Sequence, residues 1–356
     1  MHSSDIQSVC IVRLSAIGDV THVIPVIHAL LEQQPGLKIT WIIGSIERQL
    51  LAGLQGVEFI EFKKSLGIGA YWQLFRQLRG RHFDVVLGMQ VSFRANLIVG
   101  LLRSKRKIGF DAARSKDLHG WFVTERINPL QEHVLDGFFQ FIEKLGFHKQ
   151  SKDWSIPIPQ EARNFAISHL PTSPILAISP CSSHPLRNWN AAGYAEVADY
   201  ACSKYEFHIV LLGGRSSAEM AMGNQITRLM KCECTNLIGK DTLQQLLAIL
   251  QRCTVLITPD SGPAHMATCV GLPVIGLYAA SNPERSGPYN SLQWCVNAYP
   301  QAAEKVFNKP VTQLKWGKKI EIPGVMDMIL PEQVIMKLDL LAQSAGIMPQ
   351  IDTIEE

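Results

Sequence analysis

Thr254-Val255-Leu256-Ile257-Thr258-Pro259-Asp260-Ser261-Gly262-Pro263-Ala264-His265, followed by the apolar run Pro273 to Tyr278, is the stretch whose reading decides the fold. The β-branched and apolar residues from Thr254 to Thr258 read as a strand. Pro259 to Pro263 breaks that strand and opens a helix: Pro263 suits the first helical position, and Gly262 leaves the backbone open to a ligand. With Pro273 to Tyr278 the unit becomes strand, turn, helix, strand. A strand exit of this kind aims backbone N–H groups, a carboxylate (Asp260), a hydroxyl (Ser261) and an imidazole (His265) at one point beyond the sheet. An α/β protein holds a phosphorylated nucleotide in this way.

The same alternation runs outward in both directions. Toward the N-terminus the strands expected are Val9 to Leu14, Lys38 to Ile43, Val57 to Glu61 and Val85 to Gly88, interleaved with helices at Asp19 to Leu31, Ser45 to Ala52, Ala70 to Arg79 and Leu130 to Leu145. The Pro-punctuated stretch from His148 to Pro174 reads as a linker. The rhythm restarts beyond it, with strands at Ile175 to Ser179, His208 to Gly213 and Asn236 to Ile238. Helices are expected at Ala191 to Ser203, Ala218 to Leu229, Thr242 to Gln251 and Pro331 to Ala345. At 356 residues the chain exceeds one comfortable core. The expectation is two Rossmann-like, doubly wound α/β domains, 1–160 and 161–330, facing a central cleft.

Composition narrows the class. With 47% hydrophobic and 18% charged residues the chain has the make-up of a folded enzyme. Met1 to Ser8 lacks the layout of a secretory signal, and no apolar run reaches the length of a membrane span. The eight cysteines show no paired CxxC spacing and read as reduced thiols in a cytoplasmic protein; Cys232 and Cys234 are the one close pair. Net charge is only +3, yet Glu61 to Asp117 holds twelve lysines and arginines against four acids. Either this segment faces an anionic partner or it is a solvated basic surface. Its cations are not interleaved with a stacking series of aromatics, so an acidic small molecule or a membrane surface is favoured over nucleic acid.

Four loops carry the chemistry. In the first half, Arg13-Leu14-Ser15-Ala16-Ile17-Gly18-Asp19 links the first strand to the first helix. Asp19 falls in the first helical turn, where it either takes a proton from an attacking hydroxyl or caps the helix. Neither GxxxxGK[ST] nor GxGxxG follows the first strand, so neither an ordinary P-loop nor a standard dinucleotide site is supported. In the second half, Ser182, Ser183 and Arg187 suit diphosphate oxygens, or the loop is merely polar and Arg187 caps something nearby. Glu219 after Gly213-Gly214 either meets a ribose or favours its helix N-terminus. The fourth loop is Asp260 to His265. No Asp-x-Asp occurs in the chain, so the usual carboxylate pair for a metal–diphosphate bridge is missing.

Taken together these motifs resemble the bacterial heptosyltransferases of glycosyltransferase family 9. The likeness rests on Gly18-Asp19 with Val20 to Pro25, on Arg187-Asn188-Trp189, on Gly213-Gly214 leading to Glu219, and on Pro259 to His265 with Gly271-Leu272-Pro273. It implies a GT-B fold, with the helix from 331 to 356 crossing back to pack on the first domain. It implies inverting, metal-independent transfer without a cofactor, from an ADP-heptose donor to the lipopolysaccharide inner core (lipid A-Kdo or a heptose). Asp19 would be the catalytic base. Ser182, Ser183, Arg187, Glu219, Asp260, Ser261, Gly262 and His265 would bind the donor, and Lys240, Asp241 and Thr242 would lie near the adenosine. Arg187 stands where the family usually has a lysine. Arg94, Arg114 and Lys116 are candidates, on charge alone, for gripping an anionic, lipid-linked acceptor at the cytoplasmic face of the inner membrane. A nucleotide-sugar epimerase of the same architecture and a non-catalytic nucleotide-sugar-binding protein are the alternatives.

Overall fold

The structure, a computed structural model, describes residues 5–148 and 152–349. It divides into two compact units, Met1–Pro157 and Ile158–Glu356. The first is built on β1 (Ser8–Val12), β2 (Lys38–Gly44), β3 (Val57–Phe62), β4 (Val85–Gly88), β5 (Arg106–Gly109) and β6 (Glu125–Arg126), in spatial order β3-β2-β1-β4-β5-β6. Every neighbouring pair is parallel. The second carries β7 (Ile175–Ile178), β8 (His208–Leu211), β9 (Cys234–Asn236), β10 (Val255–Pro259), β11 (Val274–Tyr278) and β12 (Val296–Asn297), in order β12-β11-β10-β7-β8-β9, again all parallel.

The two sheets share one topology. In each, three strands run outward to one edge, and the chain then returns to the centre and runs to the other. The direction reverses between β1 and β4 in the first sheet and between β7 and β10 in the second. A crevice opens at such a reversal beyond the carboxyl ends of the strands. Asp19 follows β1, the loop from Ser179 follows β7, and Asp260 follows β10, so the sequence motifs sit at the two reversals. The central strands explain themselves: Val255–Pro259 and Val274–Tyr278 are buried at every position, as expected of strands covered by helices on both faces. Gly18 lies buried within the first turn of the helix Ile17–Gln33.

The helix Pro331–Ser344 is built into the second unit. Its stripe of Val334, Leu338, Leu341 and Ala342 joins the core of the second unit, which also contains Trp189, Tyr194, Tyr205 and Phe207. Asp339 on the same helix accepts hydrogen bonds from Tyr200 Oη at 2.9 Å and Tyr205 Oη at 2.7 Å and pairs with Lys204 at 3.1 Å. Those partners lie on the helix Ala191–Tyr205, and they fix the C-terminal helix against it. Residues 350–356 of the expected helix lie outside the described residues.

The stretch taken as a linker holds a helix, Gln160–His169, with Pro159 at its N-cap. The prolines frame this helix and do not prevent it. The unread stretch between Met89 and Asn128 supplies the helix Phe93–Leu101, capped by Ser92, together with β5 and β6. Arg106-Lys107-Ile108-Gly109 is too short and too charged to display a strand pattern. It pairs with β4 nonetheless, because its backbone completes the ladder.

Candidate functional site

In the first unit the site grows from the exit of β1. Arg13, nearly buried, donates from Nη1 to the carbonyl of Met89 at 2.6 Å and forms an ion pair with Asp19, whose side chain is 37% exposed. The guanidinium also lies over the ring of Phe138, 5.4 Å from its centroid. Gln90 Oε1 accepts from the backbone N–H of Leu14 at 2.7 Å and of Ser15 at 3.3 Å, fixing the loop between strand and helix. Ala16 occupies the N-cap and offers no side-chain bond, so Asp19 is the one acid in the first turn. A carboxylate there is favoured by the helix dipole, anchored on one side by Arg13 and open to solvent on the other. Glu47 is buried beside the same loop; burial raises its pKa, while Lys64 and Arg13 pull it down. Lys64 Nζ reaches Ser15 Oγ at 3.4 Å.

In the second unit a charge network sits where β7 and β10 part. Arg187, in the short 3₁₀ turn Pro185–Arg187, contacts Glu321 through Nε at 2.7 Å and Nη2 at 2.5 Å, and Asp260 through Nη1 at 3.8 Å. Lys319 Nζ donates to Asp260 Oδ2 at 3.1 Å, and His184 Nε2 lies 3.8 Å from Glu321. Burial alone would raise the pKa of Asp260. Lys319 and His265, with a hydrogen bond from Ser281, overcome that and hold it below the usual carboxylate range. Glu321 is lowered likewise, against burial, by Arg187, His184 and Lys319. Two fixed cations are thus held over two carboxylates. Ser261 at the N-cap of Gly262–Thr268 shares a 2.7 Å hydrogen bond with Thr258 Oγ1, which donates to Ser179 O at 2.8 Å and so ties the exits of β10 and β7 together. His265 is buried on the same helix.

The remaining predicted residues have identifiable local partners. Ser182 accepts from the N–H of His184 at 3.2 Å and donates to its carbonyl at 2.9 Å, folding its hydroxyl into the loop; Ser183 is exposed. Glu219 accepts from Gly214 N at 2.8 Å and Ser216 Oγ at 2.6 Å, so its carboxylate closes its own loop. A Cβ on Gly214 would lie 2.9 Å from that carboxylate, which would have to swing aside to admit it. Thr242 forms a capping box with Gln245 on the helix Leu243–Arg252, and Lys240 Nζ donates to Asn236 O at 2.7 Å. Asp241 is raised to about 6 by burial, against Arg215, and its Oδ2 is buried without a hydrogen-bond partner. Of the acceptor candidates, Arg114 is held by Asp111 and donates to Asn128 O at 2.9 Å, whereas Arg94 and Lys116 are exposed.

Lys319, Glu321 and Ser281 were missed by reading the sequence. The signal was faint. Lys318-Lys319-Ile320-Glu321-Ile322 alternates charge with bulk, and buried Ile320 donates its N–H to Ala280 O at 2.8 Å, which leaves its two neighbours to reach the network. Arg13, Glu47 and Gln90 around Asp19 were likewise given no role; Arg13 meets Met89, and Leu14 meets Gln90, through the pairing of β1 with β4. Among the described residues no three His, Cys, Asp or Glu side chains are grouped to hold a metal ion, and Cys232 and Cys234 are free thiols.

Two parallel sheets of one Rossmann topology, with a carboxylate at the first strand exit of one and a cationic network at the reversal of the other, place the chain in the GT-B fold class. The chain belongs to glycosyltransferase family 9, the heptosyltransferases, whose family model matches residues 71–316. It is 39% identical over 337 residues to a lipopolysaccharide core heptosyltransferase, OpsX, of Haemophilus influenzae, covering 94% of this chain and 97% of the relative. Two solved structures share the fold. A family 9 glycosyltransferase of Veillonella parvula has a TM-score of 0.77 at 24% identity, over 95% of this chain and 97% of that one. The ADP-heptose lipopolysaccharide heptosyltransferase II of E. coli has a TM-score of 0.70 at 19% identity, over 95% and 99%.

Proposed function

We propose that this enzyme transfers a heptose from ADP-heptose to the lipopolysaccharide inner core, either lipid A-Kdo or a core heptose, in a single inverting displacement that uses no divalent cation. The observation that carries the reading is the near full-length relationship to a core heptosyltransferase. Asp19 acts as the base. It takes the proton of the acceptor hydroxyl as that oxygen attacks the anomeric carbon; the bond to the diphosphate breaks, and ADP leaves with its electron pair. The ion pair with Arg13 supports the role by holding the carboxylate in one orientation.

On the donor side, Arg187 exchanges Glu321 for the diphosphate. Asp260, kept ionised by Lys319, holds the arginine in reach through its other nitrogen. Ser182, Ser183, Ser261, Gly262 and His265 complete the diphosphate side, while Glu219 and Lys240 to Thr242 border the nucleoside. Charge on the leaving group is then met by guanidinium, ammonium and hydroxyl groups. Arg94, Arg114 and Lys116 face the anionic sugars of a lipid-linked acceptor. The enzyme works at the cytoplasmic face of the inner membrane as a peripheral protein; no described helix is long and apolar enough to cross a membrane.

The test measures ADP release and product mass with ADP-heptose alone and with added lipid A-Kdo or truncated core acceptor, in the presence of a chelator. Release only with acceptor, and an inverted glycosidic linkage, is the expected result. A sugar product from donor alone identifies an epimerase, and silence with every acceptor identifies a binding protein.

A further inference from the structure

The helix Ile68–Leu78 is amphipathic with apolar residues on both sides. Ala70 and Leu74 face the core, while Ile68, Trp72 and Phe75 are 88%, 62% and 44% exposed. A helix that spends Trp and Phe on its solvent side, at intervals of four and three residues, has a second surface to cover. Beside it opens a groove of about 780 Å³ lined by Ile68, Tyr71, Leu101, Phe122 and Val123. Trp121, 82% exposed, stands on its wall. Among the described residues every exposed large aromatic side chain, Trp72, Phe75, Phe93 and Trp121, falls in this one region of the chain.

The same region carries the excess of eight positive charges. Arg76 lies over the ring of Trp72, 4.9 Å from its centroid, and Arg79 and Arg103 flank Phe75 and Leu101. Tryptophans beside arginines on an exposed apolar face are the composition of an element lying in the interfacial zone of a membrane. Charge complementarity selects the occupant. Two copies of this face would set Arg76, Arg79 and Arg103 against their counterparts, whereas anionic headgroups neutralise them and acyl chains fill the groove.

We infer that this face inserts into an anionic phospholipid bilayer, the helix Ile68–Leu78 lying along the surface, Trp72 and Trp121 at headgroup depth, and the groove admitting an acyl chain. The inference rests on the peripheral membrane contact proposed above and adds to it a defined surface and an apolar component.

The experiment is sedimentation of the full-length protein with vesicles of phosphatidylcholine alone and of phosphatidylcholine with phosphatidylglycerol, at low salt and at 1 M salt. Tryptophan emission is recorded in parallel. The wild-type protein is expected to pellet with the anionic vesicles, to stay partly bound at high salt and to shift its emission to the blue. The Trp72→Ser/Trp121→Ser variant should lose at least tenfold in partitioning while transferring sugar to a delipidated, soluble acceptor at the wild-type rate. Complete release at 1 M salt, or unchanged partitioning of the variant, overturns insertion and leaves a purely electrostatic contact. A concentration-dependent dimer that the two substitutions abolish overturns it in favour of a second copy. Absence of transfer despite salt-resistant vesicle binding would instead count against the proposed reaction and leave the surface standing.

Discussion

Arg13 and Asp19 are ion-paired at the exit of β1, and the same guanidinium donates to the carbonyl of Met89 at 2.6 Å. One arginine therefore couples the carboxylate to the neighbouring strand. Replacing it with methionine keeps the bulk under Phe138 but releases Asp19 to rotate. Arg13→Met is expected to lower kcat by about 100-fold with donor affinity changed only a few-fold. Arg13→Lys should recover part of that loss, because it keeps the charge without the fork. Steady-state kinetics together with calorimetric ADP binding separate the two effects, and a loss confined to ADP affinity would remove the positioning role.

Lys319 neutralises Asp260, which is largely buried and close to Arg187. Without the ammonium, an uncompensated carboxylate faces the incoming diphosphate. Lys319→Met should weaken ADP binding about tenfold, and adding Asp260→Asn should restore part of it, as coupled neighbours do. Strictly additive losses in a double-mutant cycle would show that the pair does not act as a unit.

Asp241 predicts a pH dependence with a definite sign. Its pKa is raised from 3.8 to about 6 by burial, so between those values the folded protein binds a proton that the unfolded chain has released. Its contribution to stability is therefore present below about pH 4 and lost as pH rises to about 6. Asp84, Asp111 and Asp260, with lowered values, slope the opposite way. The difference between wild type and Asp241→Asn isolates the effect: wild-type urea midpoints should fall relative to the variant from pH 4 to 6 and run parallel above. A constant difference across that range would contradict it.

The central strands and the residues at their exits were legible because a strand buried on both faces declares itself as an unbroken apolar run, as in Val255–Pro259, and the break after it marks the loop. What could not be read comes from pairing at a distance. Lys319 reaches Asp260 across 59 residues and Glu321 reaches Arg187 across 134, and no local pattern encodes either meeting. The C-terminal helix was legible as a helix, but not the hydrogen bonds that Tyr200 and Tyr205, on a helix far upstream, make to its Asp339. Local grammar likewise left Glu219 between two readings. In the structure, Gly214 N and Ser216 Oγ donate to its carboxylate oxygens, contacts that neither reading named.

The most direct measurement is single-turnover transfer by Asp19→Asn, with ADP-heptose and a lipid-linked acceptor, alongside the dissociation constant of ADP. Asparagine keeps the size of the side chain but cannot take the acceptor's proton. Transfer should fall by about 100-fold or more, within the range of lost general-base catalysis, while ADP binding stays within a few-fold of wild type. Transfer at the wild-type rate would show that Asp19 only caps its helix, and that the proton leaves by another route.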